Sequence, residues 1–192
     1  MEQSDPQLVD RLRAGDRAAL EPLYRRYVDR VWRYAWLRTR CREKAADIVQ
    51  ETFLRIVRSI EGFEGRSALS TWVFAVTRSV TIDQLRRSGR DRPDADSPTI
   101  LKLIPAAENA GDETREGLRE AVRQAVSELP PAQRDVVMLC SLSGMKMKEA
   151  AEVLGWSESR VKVTLFRARR ALRERLMDDL RNADARSART RS

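Results

Sequence analysis

A run of arginines near the carboxyl end of the chain follows a pattern typical of a DNA-binding helix. Glu158 and Glu174 are the only acids between residues 158 and 175. The same stretch carries the bases Arg160, Lys162, Arg167, Arg169, Arg170, Arg173 and Arg175. A duplex presents closely spaced phosphates, and a basic helix fits its major groove. The alternative is a solvated basic face on an ordinary helical hairpin. We predict that this helix binds DNA.

The residues before this helix predict how it is positioned. An apolar helix comes first, marked by side chains at helical spacing: Met147, Ala150, Ala151 and Leu154. Gly155 can then end that helix at positive φ, and Ser157 can cap the next one. Ala151 permits close helix crossing, Gly155 makes the turn, and Val161 packs the second helix. These features predict a helix-turn-helix.

Composition limits the classes of function. The chain has 192 residues, a net charge of +8 and a pI near 10.2, which favours a polyanionic partner, although an anionic membrane surface would satisfy charge alone. No run is long and apolar enough to insert in a membrane, and no signal-peptide core is present, so we expect a cytoplasmic protein. Histidine is absent, and Cys41 and Cys140 lie far apart, so we expect reduced thiols and no metal site. This argues against most hydrolytic chemistry, though not against every enzyme. We expect no cofactor and no catalytic activity.

Helical periodicity dominates and strand alternation is nearly absent, which predicts an all-α fold. The first helix is expected to begin with Asp5 as N-cap and Pro6 at its first position, and to end near Gly15. The second has an apolar stripe of Leu20, Leu23, Tyr24, Tyr27, Val31, Tyr34 and Ala35. The third, from about residue 42 to 60, has Ala45, Ile48, Thr52, Phe53, Ile56 and Ile60. The fourth, from about residue 70 to 87, buries Trp72, Val73, Val76, Val80 and Leu85.

The composition changes between residues 88 and 114. This stretch has three of the seven prolines, six acids against three bases and little periodicity, which is typical of a flexible linker. A short apolar patch, Ile100–Ile104, interrupts it. We therefore predict a helical domain over residues 1–88, a linker over 89–114, a second helical domain over 115–180, and a disordered basic tail over 181–192.

Three segments, in order, resemble a known family. They are AADIVQETFLRIVRSI (Ala45–Ile60), FEGRSALSTWVFAVTRSVTIDQLRR (Phe63–Arg87) and LPPAQRDVVMLCSLSGMKMKEAAEVLGWSESRVKVTLFRARRAL (Leu129–Leu172). Together they are similar to bacterial RNA polymerase sigma factors of the extracytoplasmic-function class, over roughly residues 6 to 178. The resemblance implies a sigma-2-like domain and a sigma-4-like domain with the helix-turn-helix, joined by the linker.

The first segment resembles the family helix that grips core RNA polymerase. The resemblance implies that one face docks on a coiled coil of the largest subunit, through Asp47, Gln50, Glu51 and Leu54. These positions follow i, i+3, i+4, i+7 spacing, and acids complement a basic partner while repelling DNA. The alternative is an exposed face with local salt bridges to Arg55 and Arg58.

The second segment resembles the part that melts and reads the −10 element of a promoter. The resemblance implies a base pocket walled by Phe63, Val76, Thr77 and Ser79. Ser79 departs from the asparagine usual in the family, which leaves the base preference open. The alternative for Phe63 is core filling. After the pocket, Arg78, Gln84, Arg86 and Arg87 are expected near one face for contact with the duplex; helix-dipole stabilisation alone would also favour these cations.

The third segment resembles the domain that reads the −35 element. The implied readers are Arg160, Lys162, Val163, Thr164, Phe166 and Arg167. Val163 and Thr164 depart from the frequent Ser-Arg pair of the family, so the sequence does not predict the −35 element. Val161, Leu165, Ala168 and Leu172 are expected in the core.

The resemblance implies a promoter-specificity subunit whose partners are core RNA polymerase, promoter DNA and an anti-sigma factor. Two other classes of protein remain alternatives. One is an autonomous regulator that binds operators as a dimer, although no heptad seam or sensing domain is evident. The other is a metal-dependent nuclease that uses Asp47 and Glu51, although no other carboxylate clusters with them in the sequence.

Overall fold

A computed structural model describes the backbone of residues 4–87 and 113–190, with side chains for 4–87 and 121–178. Its α-helices are α1 (Asp5–Arg13), α2 (Leu20–Thr39), α3 (Arg42–Ser59), α4 (Leu69–Arg87), α5 (Glu113–Glu128), α6 (Pro131–Val137), α7 (Met147–Leu154) and α8 (Glu158–Thr190). Short 3₁₀ turns lie at Arg17–Ala19 and Ile60–Gly62, and α6 continues as a π-helix over Met138–Leu142. The described residues form no strand, which confirms the all-α prediction.

The chain divides into two compact units. The first comprises Met1–Pro105 and Lys148–Trp156, and the second Ala106–Met147 and Ser157–Ser192. This division places most of α7 in the first unit, whereas the sequence prediction places that helix in the second domain. Sequence order alone does not determine which unit a helix of eight residues joins. Residues 89–112 of the predicted linker lie outside the described residues. Its last two residues, 113 and 114, belong to α5, which begins at Glu113.

In the first unit, α2, α3 and α4 pack on one another, and α1 contacts α2, α4 and the Ile60–Gly62 turn. One apolar cluster joins them, with the buried members Leu8, Val9, Leu12, Ala19, Leu23, Tyr27, Val31, Val49, Ile56, Ile60, Phe63, Leu69 and Val73. Each larger side chain contributes about 1.5–3 kcal/mol when it leaves water. This core holds the predicted docking helix against the predicted DNA-contact helix.

The start of α1 differs from the prediction by one residue. Ser4, and not Asp5, is the N-cap, and its backbone N–H donates to Gln7 Oε1 at 2.9 Å. Asp5 has another role, because its carboxylate accepts hydrogen bonds from Tyr27 Oη at 2.8 Å and from the Arg26 guanidinium. Burial, reinforced by Asp5, raises the pKa of Tyr27 well above its ordinary value. Asp5 therefore links the start of α1 to α2 and does not cap its own helix.

Most of the predicted apolar faces are buried, with informative exceptions. Tyr24 on the α2 stripe is 46% exposed, and Phe53 on α3 is only half-buried. On α4, Val73 and Val80 are buried, whereas Trp72, Val76 and Leu85 are half-buried. The periodicity places a residue on the apolar face of its helix, but a residue at the edge of that face can remain exposed.

In the second unit, α6 and α5 both pack against α8. The predicted break at Leu129-Pro130-Pro131 is present, because α6 starts with proline in its first turn and Arg134 Nη2 donates to the Leu129 carbonyl at 3.0 Å. An ion pair from Arg175 to Glu128 joins α8 to α5. Helix α8 continues to Thr190, whereas the sequence predicted disorder from residue 181. The stretch 158–190 contains neither glycine nor proline, so nothing in it ends a helix.

Candidate nucleic-acid and partner interfaces

The turn before α8 has the geometry that the sequence predicted. Gly155 ends α7 at φ +68°, where a residue without Cβ is favoured. Trp156 N–H returns to the Ala151 carbonyl at 3.0 Å. Ser157 Oγ then accepts the Arg160 backbone N–H at 3.2 Å and caps α8. These local bonds fix the residue at which α8 starts and therefore which of its side chains share a face.

The predicted readers on α8 form an exposed surface, apart from one residue. Val161, Leu165 and Ala168 are buried as predicted, and Leu172 is half-buried. The opposite face exposes Arg160, Lys162, Val163, Phe166 and Arg167, with Thr164 half-buried. Phe166 is 68% exposed, which is unusual for a phenylalanine on a folded domain. An apolar ring between cations can contact bases and methyl groups while the cations contact phosphates.

Two of the four residues predicted to wall a base pocket, Phe63 and Thr77, are buried in this structure. Phe63 is 7% exposed, belongs to the core cluster and lies 5.0 Å from Trp72 between ring centroids. Thr77 is buried, and its hydroxyl donates to the Val73 carbonyl at 2.8 Å. Val76 is half-buried against the same core, and Ser79 is exposed. A base could stack on Phe63 only after its loop moved away from the core.

The four residues predicted after the pocket do not share one face. Gln84 and Arg87 line a groove between α3 and α4, whereas Arg78 and Arg86 do not. Arg78 and Arg87 are nine positions apart, which is about two and a half helical turns, so they point in opposite directions. The prediction of a single basic face was wrong for this reason. Arg86 and Arg87 are exposed at the carboxyl end of α4, and Arg78 and Gln84 are half-buried.

The structure brings the four predicted docking residues together. Asp47, Gln50, Glu51 and Leu54 all line the α3–α4 groove, which encloses about 250 Å³. The groove also contains Arg55, whose guanidinium donates to Glu51 at 2.8 Å and to Asp83 of α4 at 3.0 Å. The hydrogen bonds that Arg55 donates to Glu51 and Asp83 raise the pKa of its guanidinium. The sequence suggested the bond to Glu51, but it gave no sign of Asp83, because only the packing of α4 on α3 brings that carboxylate close.

A second groove, between α2 and α3, was missed by the sequence reasoning. It encloses about 460 Å³ and is lined by Tyr24, Val28, Trp32, Ala46, Val49, Gln50, Phe53, Leu54 and Val57. The ring centroids of Tyr24 and Phe53, both in its lining, lie 4.7 Å apart. The spacing of both residues predicts a core position. Nothing in the sequence indicates that they stay partly exposed, because the groove depends on how α2 packs against α3. Gln50 and Leu54 belong to both grooves, so the two grooves adjoin along α3.

Within the side chains that the structure describes, no group of three or more acids or cysteines is arranged to hold a metal ion. The described helices also include none with the length and apolarity required to span a membrane.

Comparison with known proteins accounts for the two units. Family models for Sigma-70 region 2 and for Sigma-70, region 4 match residues 23–91 and 119–172. The ECF RNA polymerase sigma factor BldN of Streptomyces coelicolor is 34% identical over 178 residues, which cover 91% of this chain and 67% of BldN. The chain belongs to the extracytoplasmic-function sigma factors. SigM of Mycobacterium tuberculosis, another sigma factor of this class, is 32% identical over 172 residues, covering 89% of this chain and 84% of SigM.

Solved structures support the same fold for this sigma factor. The sigma factor RpoE of Bartonella quintana, crystallised with the anti-sigma factor NepR, is 26% identical with a TM-score of 0.64 and covers 81% of this chain and 96% of its own. CnrH, solved with the cytosolic domain of CnrY, has a TM-score of 0.69 at 23% identity and covers 92% and 99%. The family match confirms the sequence interpretation of the chain as a sigma factor that directs transcription to promoters.

Proposed function

We propose that this sigma factor binds core RNA polymerase through the α3–α4 groove and reads promoters with α4 and α8. The observation that carries the proposal is the shared placement of Asp47, Gln50, Glu51 and Leu54 along one groove. Two carboxylates belong to this set, those of Asp47 and Glu51 on α3. On a chain with net charge +8, these two acids suit a basic protein surface and disfavour DNA.

The two DNA-contacting surfaces bind different elements of the promoter. The exposed face of α8, centred on Phe166, reads the −35 element. Arg86 and Arg87 at the end of α4 contact the duplex beside the −10 element. Melting of that element uses Phe63, Val76, Thr77 and Ser79 after the Phe63 loop has left the core, since Phe63 and Thr77 are covered in the free chain. Unstacking a base costs a few kcal/mol, and an aromatic wall returns about 1–3 kcal/mol of it.

The protein acts in the cytoplasm, needs no cofactor and catalyses no reaction itself; the polymerase performs the chemistry. The proposed domains are a sigma-2-like domain over 1–88 and a sigma-4-like domain over 115–180. An anti-sigma factor is the proposed regulator, by analogy with RpoE of Bartonella quintana and its partner NepR. A partner of that kind acts most directly by covering the docking face.

Run-off transcription with purified core polymerase on a promoter library tests the proposal. The wild-type chain is expected to select start sites. Glu51→Arg places a cation where a basic partner docks and is expected to reduce core binding and transcription at least tenfold. Glu61→Arg is the matched control, since Glu61 is exposed and lines neither groove. Equal transcription by wild type and Glu51→Arg would remove the docking assignment. Operator binding by a two-fold symmetric dimer without polymerase would support the autonomous regulator instead.

A further inference from the structure

The α3–α4 groove contains residues of both proposed interfaces. Asp47, Glu51 and Leu54 belong to the polymerase-docking set, and Gln84 and Arg87 to the DNA-contact set. A cation and an acid that belong to neither set, Arg55 and Asp83, lie between them. Their ion pair therefore lies in the same groove as the residues proposed to bind polymerase and the residues proposed to bind DNA.

Asp83 and Arg87 are four positions apart on α4, in the order that favours an ion pair along a helix. If Asp83 paired with Arg87, it would hold that guanidinium away from DNA and add negative charge beside it. In the structure the Asp83 carboxylate instead accepts from Arg55 Nη1 of α3 at 3.0 Å. The same guanidinium bonds Glu51 at 2.8 Å, so two carboxylates hold it in place.

We propose that Arg55 is a positioning residue for promoter contact: by occupying Asp83, it leaves Arg87 available to bind a DNA phosphate. The inference rests on the proposed function, because it assumes that Arg87 contacts promoter DNA. The ion pair itself is part-exposed, with 31% and 38% of the two side chains accessible, so it adds little to folding. The ion pair is expected to determine whether Asp83 pairs with Arg87, and not whether α4 forms.

The test measures the affinity of the full chain, bound to saturating core polymerase, for a promoter duplex over a series of salt concentrations. Arg55→Gln is expected to weaken binding about three- to tenfold and to reduce the salt slope by about 1, as for loss of one phosphate contact. Arg87→Gln gives the benchmark, and adding Arg55→Gln to it should change nothing further. Arg55→Gln combined with Asp83→Asn is expected to restore both affinity and slope, because the freed carboxylate is gone.

A purely structural ion pair predicts the opposite for the double variant, which would stay as weak as Arg55→Gln. That result overturns the proposal, as does an unchanged salt slope in Arg55→Gln. Asp83→Asn alone keeps the test informative if Arg55→Gln does not fold: it should retain the wild-type slope, and a reduced slope contradicts the inference. Absence of promoter-specific binding by the wild-type holoenzyme is a different failure, that of the proposed function.

Discussion

Truncation of Phe166 separates DNA reading from folding more clearly than any other change on α8. The side chain is 68% exposed. Full burial of a phenylalanine is worth about 1.5–3 kcal/mol, so the roughly one third that is covered stabilises the fold by less than about 1 kcal/mol. Phe166→Ala should therefore shift the melting temperature by less than about 4 °C.

The effect on promoter binding should be larger. Contact with bases would cover the exposed two thirds or so of the ring, worth about 1–2 kcal/mol. That free energy corresponds to a loss of about 5- to 30-fold in the affinity of the holoenzyme for a promoter. The loss should depend on the −35 sequence and not on salt, since no charge is removed.

The assay is competition binding of the holoenzyme to promoters with and without an intact −35 element. Met177→Ala is the matched control, because Met177 is a 49% exposed apolar residue of the same helix, beyond the matched region. Affinity of Phe166→Ala within twofold of wild type, at an unchanged melting temperature, would refute the assignment of this ring as a base reader.

Three further changes test the structure. Tyr27→Phe removes the hydroxyl that donates to Asp5 at 2.8 Å and should lower the free energy of unfolding by about 1–2 kcal/mol in urea titration; no change would mean that the bond is absent in solution. Gly155→Ala should cost about 1–2 kcal/mol in thermal unfolding because φ is +68°, whereas Gly62→Ala, which also meets nothing within 4 Å, should cost less; equal costs would contradict the turn. Burial raises the pKa of the Cys140 thiol, so mass spectrometry near pH 8 should show slower alkylation there than for a free cysteine, and equal rates would contradict its burial.

Local chemistry is what the sequence predicts best. Glycine at 155 and serine at 157 place the turn before α8, and the paired prolines at 130 and 131 place the start of α6, because each acts on its own backbone. The shared face of the predicted docking set also depends on one helix only, since i, i+3, i+4, i+7 spacing puts Asp47 and Leu54 on one side.

Features that depend on the packing of two helices were not predictable in this way. The pairing of Arg55 with Asp83 requires the register between α3 and α4, which periodicity leaves open. Tyr24 and Phe53 have core spacing, yet they border a groove and remain partly exposed. Phe63 shows a third kind of limit: a resemblance implies a role in complex with DNA, while the free chain buries the same ring to minimise its exposure to water.

The overlap of the two grooves at Gln50 and Leu54 has a consequence for control of gene expression. Two macromolecules that both require these side chains cannot occupy the protein together. For the proposed docking of core polymerase, the outcome of that competition depends on the concentration and the dissociation constant of the competitor.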